Sequence, residues 1–353
     1  MDFELYYMAA QDKIGLDIGY SSIKAVVLSH QESPPRLISL GHIASPQPGI
    51  ISESELDLQA VAGAIKNLIS EINPSTQDVV ISLPEQKIFT RVVYDLPYLS
   101  DDELSQAIRY AAEEFVPMPI AEVNLYYQII FRSAKKEVNS RTVVFVIAAP
   151  KVLIDKYLKL LQMAELKVVA IETEMIAAAR ALISFNNFSP TTLLIQMGAT
   201  NTDYAIVSEG LILLTRSIAT GGSALTRAIA QSFNFEVIQA EEYKKVYGLL
   251  EDQLEGKLYK TLKPVIDVIA NEAKRVILSH ETQNRQRPVK RVVLTGGGAH
   301  LPGLVSFFTD FLGLEVQEAD PWTAINMDPT MKNKLSSEAA FYSVAVGLAM
   351  KQE

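Results

Sequence analysis

The chain has 353 residues, is 48% hydrophobic and carries a net charge of −9. That length allows a large core in two domains, and an acidic chain whose basic cluster, Asn284-Arg285-Gln286-Arg287, is short and reads as a solvated loop is a poor nucleic-acid binder. There is no cysteine, and the four histidines (His30, His42, His280, His300) never pair at ligand spacing, which excludes disulfides, thiolate metal sites and a thiol nucleophile.

Residues 1–13 lack the charged start and long apolar run of a signal peptide and are read as an extension. No apolar stretch reaches the roughly 18 residues of a spanning helix. The C-terminus carries no basic amphipathic tail. The expectation is a cytoplasmic protein with no direct membrane insertion.

Ile14 to Leu28, IGLDIGYSSIKAVVL, has the pattern of strand, tight turn and strand. Asp17 ends the first strand beside Gly19, and Ser21, Ser22 and Lys24 follow. Such a turn offers backbone N–H groups and hydroxyls to an anion, and a carboxylate to a metal; it is equally a polar surface turn. Leu37 to Ala44 predicts a third strand. A helix follows from Ser54-Glu55 to about Ile72, with Leu58, Val61, Ile65, Leu68 and Ile72 on one face. Val79 to Leu83 predicts a buried strand. Residues 14–95 are thus read as an α/β lobe.

Leu96 to about Ile171 is read as an inserted α/β subdomain, 96–171. Its helix starts at Ser100 with Glu103 at capping-box spacing and has Leu104, Ile108, Ala111 and Phe115 on its apolar face. Strands at Leu125 to Phe131 and Thr142 to Ala149 flank a charged loop at Lys135-Lys136-Glu137. A helix over Val152 to Met163 and a strand over Lys167 to Ile171 complete the subdomain. The alanine-rich helix Thr173 to Ser184 returns to the first lobe, which includes 172–189, and Asn186 to Pro190 is a candidate hinge.

A second hairpin spans Thr191 to Val207, turning at Gly198-Ala199-Thr200-Asn201. A third strand, Leu211 to Ile218, and a helix entered through Gly221-Gly222-Ser223 follow. This order repeats that of Ile14 to Leu68, and either a duplicated lobe or chance likeness of two hairpins explains it. The second lobe is read as 190–222 and 290–336, with a helical part at 223–289. There, Glu241 and Lys244 project from one side of a helix ending at Gly248, as a salt-bridged solvated face or as ligand contacts. A long helix from Gln253 to about His280 contains Pro264, a potential kink. Arg291 to His300, RVVLTGGGAH, is a strand followed by three glycines that let the backbone approach a flat ligand or phosphate. A helix within 337–353 closes the chain on the first lobe.

The ordered set DIGYSSIK, EMIAAARAL, the Gly198 hairpin, IATGG, AEEYKKVYG and LTGGGAHLPG resembles the actin-like ATPase superfamily. The inserted subdomain and the AExxKxxYG run are similar to its FtsA and PilM branch, with the PilM family of type IV pilus assembly proteins the closer match. The resemblance covers nearly the whole chain. It implies a two-lobed actin-like (ribonuclease H-like) α/β fold with a small inserted subdomain, binding ATP or ADP with Mg2+. It implies a first phosphate loop of Asp17, Gly19, Ser21, Ser22 and Lys24, and a second of Gly198, Thr200, Asn201 and Thr202. Gly221 and Gly222 would lie near the nucleotide, Glu241 and Lys244 near the ribose, and Gly296, Gly297, Gly298 and Leu301 around the adenosine. Asp17 would hold magnesium through water, and Glu174 would orient a water.

One position departs from the family pattern: Gln196 stands where an Asp is usual, two residues before Gly198. A neutral amide neither holds a cation-bound water nor accepts a proton as a carboxylate does, so binding without rapid hydrolysis is expected. The resemblance implies an adaptor that binds the cytoplasmic N-terminal peptide of a PilN-like inner-membrane protein, in a groove between the first lobe and its insert. Through that partner it would join the pilus or secretion platform at the inner membrane, with self-association a further possibility. The alternatives are an FtsA-like division protein, which needs a membrane-binding tail, and a small-molecule kinase of the same superfold, for which no catalytic base motif stands out.

Overall fold

The computed structural model describes residues 12–133, 140–183 and 189–352. In chain order the elements are β1 (Lys13–Ile18), β2 (Ser22–Ser29), β3 (Arg36–Ala44), α1 (Glu55–Ile72), β4 (Asp78–Leu83), β5 (Phe89–Pro97), α2 (Asp101–Glu113), β6 (Val123–Arg132), β7 (Arg141–Pro150), α3 (Lys151–Met163), β8 (Lys167–Thr173) and α4 (Glu174–Leu182). The second half holds β9 (Thr192–Met197), β10 (Thr202–Ser208), β11 (Leu211–Ile218), α5 (Gly222–Phe233), α6 (Val237–Tyr247), α7 (Lys257–Gln283), β12 (Arg291–Thr295), α8 (Leu304–Leu312), β13 (Glu315–Glu318), α9 (Pro329–Leu335) and α10 (Ser343–Ala349).

Two five-stranded sheets share one plan. The first has the order β3-β2-β1-β4-β8 and the second β11-β10-β9-β12-β13. In each, three consecutive strands pair antiparallel, and two further strands add on in parallel. The repeat read from the sequence is therefore a repeat of topology.

Both faces of the first sheet are covered, and β2 is buried at every position but its first. Ile23, Ala25 and Val27 pack with Val61, Ile65 and Leu68 of α1 and with Tyr157 and Leu160 of α3. Val26 and Leu28 alternate to the other face and meet Tyr342, Ala345 and Ala349. Each fully buried Ile or Leu of this kind contributes about 1.5–3 kcal/mol. The α10 helix lies across β1 and α4 at very close range. A Cβ placed on Gly347 would sit 1.8 Å from the Ala177 carbonyl oxygen, and one on Gly15 2.1 Å from that of Ala345. Small residues at these crossings let the backbones touch.

The strands β5, β7 and β6 form a third, antiparallel sheet in that order. This corrects the limits of the insert. Phe89–Pro97 belongs to the inserted sheet, not to the first lobe, because it pairs with β7. Lys167–Thr173 belongs to the first lobe, because it pairs in parallel with β4, and α3 packs in the first-lobe core. The inserted sheet thus spans Phe89 to Pro150 rather than 96–171. The capping box forms as expected, with Ser100 and Glu103 bonding each other's backbone N–H groups, while Ala112, not Ala111, is the fully buried alanine of α2.

Other boundaries shift as well. The closing segment is α-helical only over Ser343–Ala349, after a 3-10 stretch at Ser336–Tyr342. The helix expected from Gln253 begins at Lys257, behind a turn in which Glu255 and Gly256 have positive φ. The Lys135-Lys136-Glu137 loop, most of the 186–190 hinge and residues 1–11 lie outside the described residues.

Candidate functional site

The first hairpin places Asp17 directly opposite Lys24, and Lys24 Nζ stands 2.6 Å from Asp17 Oδ2. Both are buried, so each charge is compensated chiefly by the other. The turn is closed by Gly19 N–H donating to the Ser22 carbonyl at 3.0 Å. Ser21 is exposed and Ser22 half-buried at its rim.

The second hairpin closes in the same way. Gly198 N–H donates to the Asn201 carbonyl at 2.9 Å, and the Gly198 carbonyl accepts from Gly222 N–H at 2.9 Å. The Thr202 hydroxyl donates to the Thr220 carbonyl at 2.7 Å, and the exposed Thr200 hydroxyl reaches Asn201 Oδ1 at 3.2 Å. A Cβ on Gly221 would lie 2.6 Å from the Gly198 carbonyl oxygen, so the glycine pair is what allows the N-terminus of α5 to abut this turn.

Lys244 of α6 reaches the same place. Its ammonium donates to the Gly222 carbonyl (3.2 Å), Thr226 Oγ1 (2.9 Å) and Glu241 Oε2 (2.6 Å). Burial pulls the Lys244 ammonium below its usual range. Burial also raises the Glu241 carboxyl, but bonds from Lys244 and Thr226 outweigh this and leave it below the usual range. Thr226, not anticipated from the sequence, completes this group.

The three-glycine loop follows β12 and lies beside the second hairpin, because Thr295 pairs with Gln196. Gly296 has φ +81, and a Cβ there would lie 2.6 Å from the Met197 carbonyl oxygen; one on Gly298 would lie 2.7 Å from the Met197 Cβ. Gly297 faces the Phe341 ring. That ring also lies 4.5 Å from Lys24 Nζ, so Phe341 bridges the three-glycine loop and the first hairpin. Leu301 is buried and lines a cavity of about 580 Å³ with His300, Pro302, Thr309 and Glu318.

Carboxylates gather between the hairpins. Gln196 Nε2 donates to Glu174 Oε2 at 2.8 Å, joining β9 of the second lobe to the start of α4 in the first. Burial, then the nearby charges of Asp203, Asp17 and Glu85, hold the Glu174 carboxyl well above its usual range, against the opposing pull of Lys24. Asp203 is fully buried, sits opposite Gln196 on β10 and is bonded by Asn201 and Ser217. Burial pushes it up to about 8. Glu85, equally unanticipated, is buried and pushed up to about 7 by desolvation. Sequence signals existed for Asp203, an acid inside an apolar strand, but not for Glu85, which reads as an ordinary turn residue after Pro84.

Among the described residues, no three His, Asp or Glu side chains are grouped to hold a metal ion. A magnesium ion that keeps most of its waters and its phosphate oxygens needs only one or two carboxylates. Asp17 is a carboxylate of the kind that role needs, and the buried Gln196 Oε1 has no hydrogen-bond partner.

The family model of the type IV pilus assembly protein PilM matches residues 15–353. The chain belongs to the PilM family. Its fold is that of the actin-like ATPases. A chain of a PilM–PilN type IV pilus biogenesis complex superposes with a TM-score of 0.83 at 29% identity, over 97% of this chain and 98% of that one. MreB5 of Spiroplasma citri bound to AMPPNP superposes with a TM-score of 0.56 at 15% identity, over 96% and 94% of the two chains. The cell division protein FtsA of Enterococcus hirae is 22% identical over 362 residues, covering 92% of this chain and 81% of that protein. No helix among the described residues is long and apolar enough to cross a membrane.

Proposed function

We propose that the chain is an ATP-binding adaptor of the type IV pilus assembly platform that engages the cytoplasmic N-terminal peptide of a PilN-like inner-membrane protein. The PilM family match and the likeness to the PilM–PilN complex support the partner. The observation that carries the nucleotide half is the junction of two hairpins and a glycine loop: Asp17–Lys24, Lys24–Phe341–Gly297 and Gly298–Met197–Gly198 form one continuous chain of contacts.

In this reading the two turns grip the phosphates from opposite lobes. The N–H groups of Gly19 and Gly198 are held by their own turns, so neighbouring turn N–H groups, Ser21, Ser22, Thr200 and Asn201 are left to meet the ligand. Lys24 leaves its pair with Asp17 to meet a phosphate oxygen. Gly221 and Gly222 let the nucleotide approach, Glu241 and Lys244 take the ribose, and Gly296, Gly297, Gly298 and Leu301 flank the base. Mg2+, held by Asp17 through water, would neutralise phosphate charge. Gln196 supplies no base, so hydrolysis is slow. Closure of the lobes changes their angle, which a partner reads.

Fluorescence anisotropy with a labelled peptide copying the cytoplasmic N-terminus of the PilN-like partner tests the adaptor role. Saturable binding that shifts with MgATP supports it, and no binding contradicts it. The FtsA likeness favours a second reading, a division-type protein; sedimentation of the lone chain with anionic liposomes would support that instead.

A further inference from the structure

Helix α4 is nine residues long and begins with Glu174 itself. Its first turn has N–H groups with no partner inside the helix. Thr173 caps one of them: its hydroxyl oxygen accepts from Ile176 N–H at 3.3 Å. In a capping box the second contact would come from an acid three residues into the helix, but that position is Ile176. Here the acid comes from far away in sequence. Glu85 Oε1 accepts from Met175 N–H at 3.2 Å, and the Thr173 hydroxyl bonds the same carboxyl.

Glu85 opens a 3-10 turn, Glu85–Lys87, that leads from β4 directly into β5. It is therefore the root of the inserted sheet. The same root touches the second lobe, where the Thr90 and Thr215 hydroxyls meet at 2.6 Å.

We infer that Glu85 is a positioning residue, which fixes the first turn of α4 and so aims Glu174 into the cleft, making the root of the inserted subdomain the lever that sets Glu174. This rests on the nucleotide reading above. A carboxyl bonded to an N–H group at a helix start is favoured by the helix dipole as well as by the bond itself, and it is buried, so water cannot replace it. A shift of the insert relative to the first lobe pulls on Glu85, loosens the Met175 and Ile176 amides and swings Glu174 off Gln196.

The test compares Glu85→Leu, which removes the acceptor, with Glu85→Gln, whose amide oxygen still accepts. Hydrogen exchange of the 174–178 segment and single-turnover hydrolysis of MgATP are read together, with MgADP affinity as a control. Glu85→Leu should speed exchange about fivefold to tenfold and slow turnover by about tenfold. MgADP affinity should stay within about twofold, and Glu85→Gln should restore both lost properties. Unchanged exchange in Glu85→Leu, or a Glu85→Gln variant as impaired as Glu85→Leu, would overturn the role. If the wild-type chain binds no MgADP, the nucleotide reading falls, and the exchange comparison alone decides whether Glu85 holds α4.

Discussion

Gln196 of the second lobe donates its amide hydrogen to Glu174 of the first at 2.8 Å. This bond crosses from one lobe to the other, at the position where an acid is expected. Converting Gln196→Asp would place a second acid against Glu174, among Asp17, Glu85 and Asp203. The expected result is a loss of about 2–3 kcal/mol of unfolding free energy, with faster phosphate release from MgATP than in the wild type. Urea titration and a phosphate-release assay check the two parts.

The Asp17–Lys24 pair is buried on both sides, with side chains 8% and 11% exposed. Removing one partner strands the other charge. Lys24→Met should cost about 3 kcal/mol of stability, measured by urea unfolding, and should also abolish tight MgATP binding. A Lys24→Met variant as stable as the wild type would show that Asp17 is compensated by something other than Lys24.

Stability should depend on pH through the buried acids. Asp203 is pushed from the usual 3.8 up to about 8, and Glu85 from 4.5 to about 7. The folded chain therefore holds protons that the unfolded chain has released. That contribution is complete below the unfolded values and is lost as pH rises through the folded ones. The urea midpoint should fall between pH 5 and pH 8, on the order of the whole window set by such shifts, and Asp203→Asn should flatten the slope. A midpoint that rises with pH across this window, or an unchanged slope in the variant, would contradict it.

Backbone proximity gives a paired test. Gly347→Ala should destabilise by about 3 kcal/mol or more, since its Cβ has no room against Ala177. Gly63→Ala, in the middle of α1 with nothing within 4 Å, should stabilise by about 0.5–1 kcal/mol. Thermal unfolding of the two variants reads both signs.

Local patterns made some of this legible. The two hairpins, the amphipathic α1 and the Ser100 capping box are each set by neighbours within a few residues, so composition and spacing found them. The membership of β5 and β8 was not legible, because parallel pairing with β4 and antiparallel pairing with β7 are long-range choices that leave no mark on local alternation. Leu96 reads as a unit boundary yet lies inside β5. Phe341 and Glu85 escaped for the same reason: what they do depends on Lys24, Gly297 and Met175, which lie far from them in the chain. Asp203 was different, since an acid between Thr202 and Tyr204 in an apolar strand was visible but overshadowed by the substitution at Gln196.

The chain has no cysteine, so a Thr90→Cys/Thr215→Cys pair can be oxidised without competing thiols. The parent hydroxyls meet at 2.6 Å, so the disulfide would pin the insert to the second lobe. In the proposed reading the nucleotide enters between the lobes, so they must part to admit it. The oxidised variant should bind MgATP about tenfold more slowly than its reduced form, as stopped-flow with a fluorescent analogue would measure. Equal rates would mean that opening does not separate these two strands.

Calorimetric titration of the chain with MgATP, beside Asp17→Ala and Gly221→Val, is the most direct measurement. One nucleotide bound per chain, with affinity reduced at least about a hundredfold in both variants, is the predicted result, since each substitution disables a turn from a different lobe. No binding to the wild type, or binding lost in only one of the two variants, would contradict a nucleotide gripped by both lobes at once.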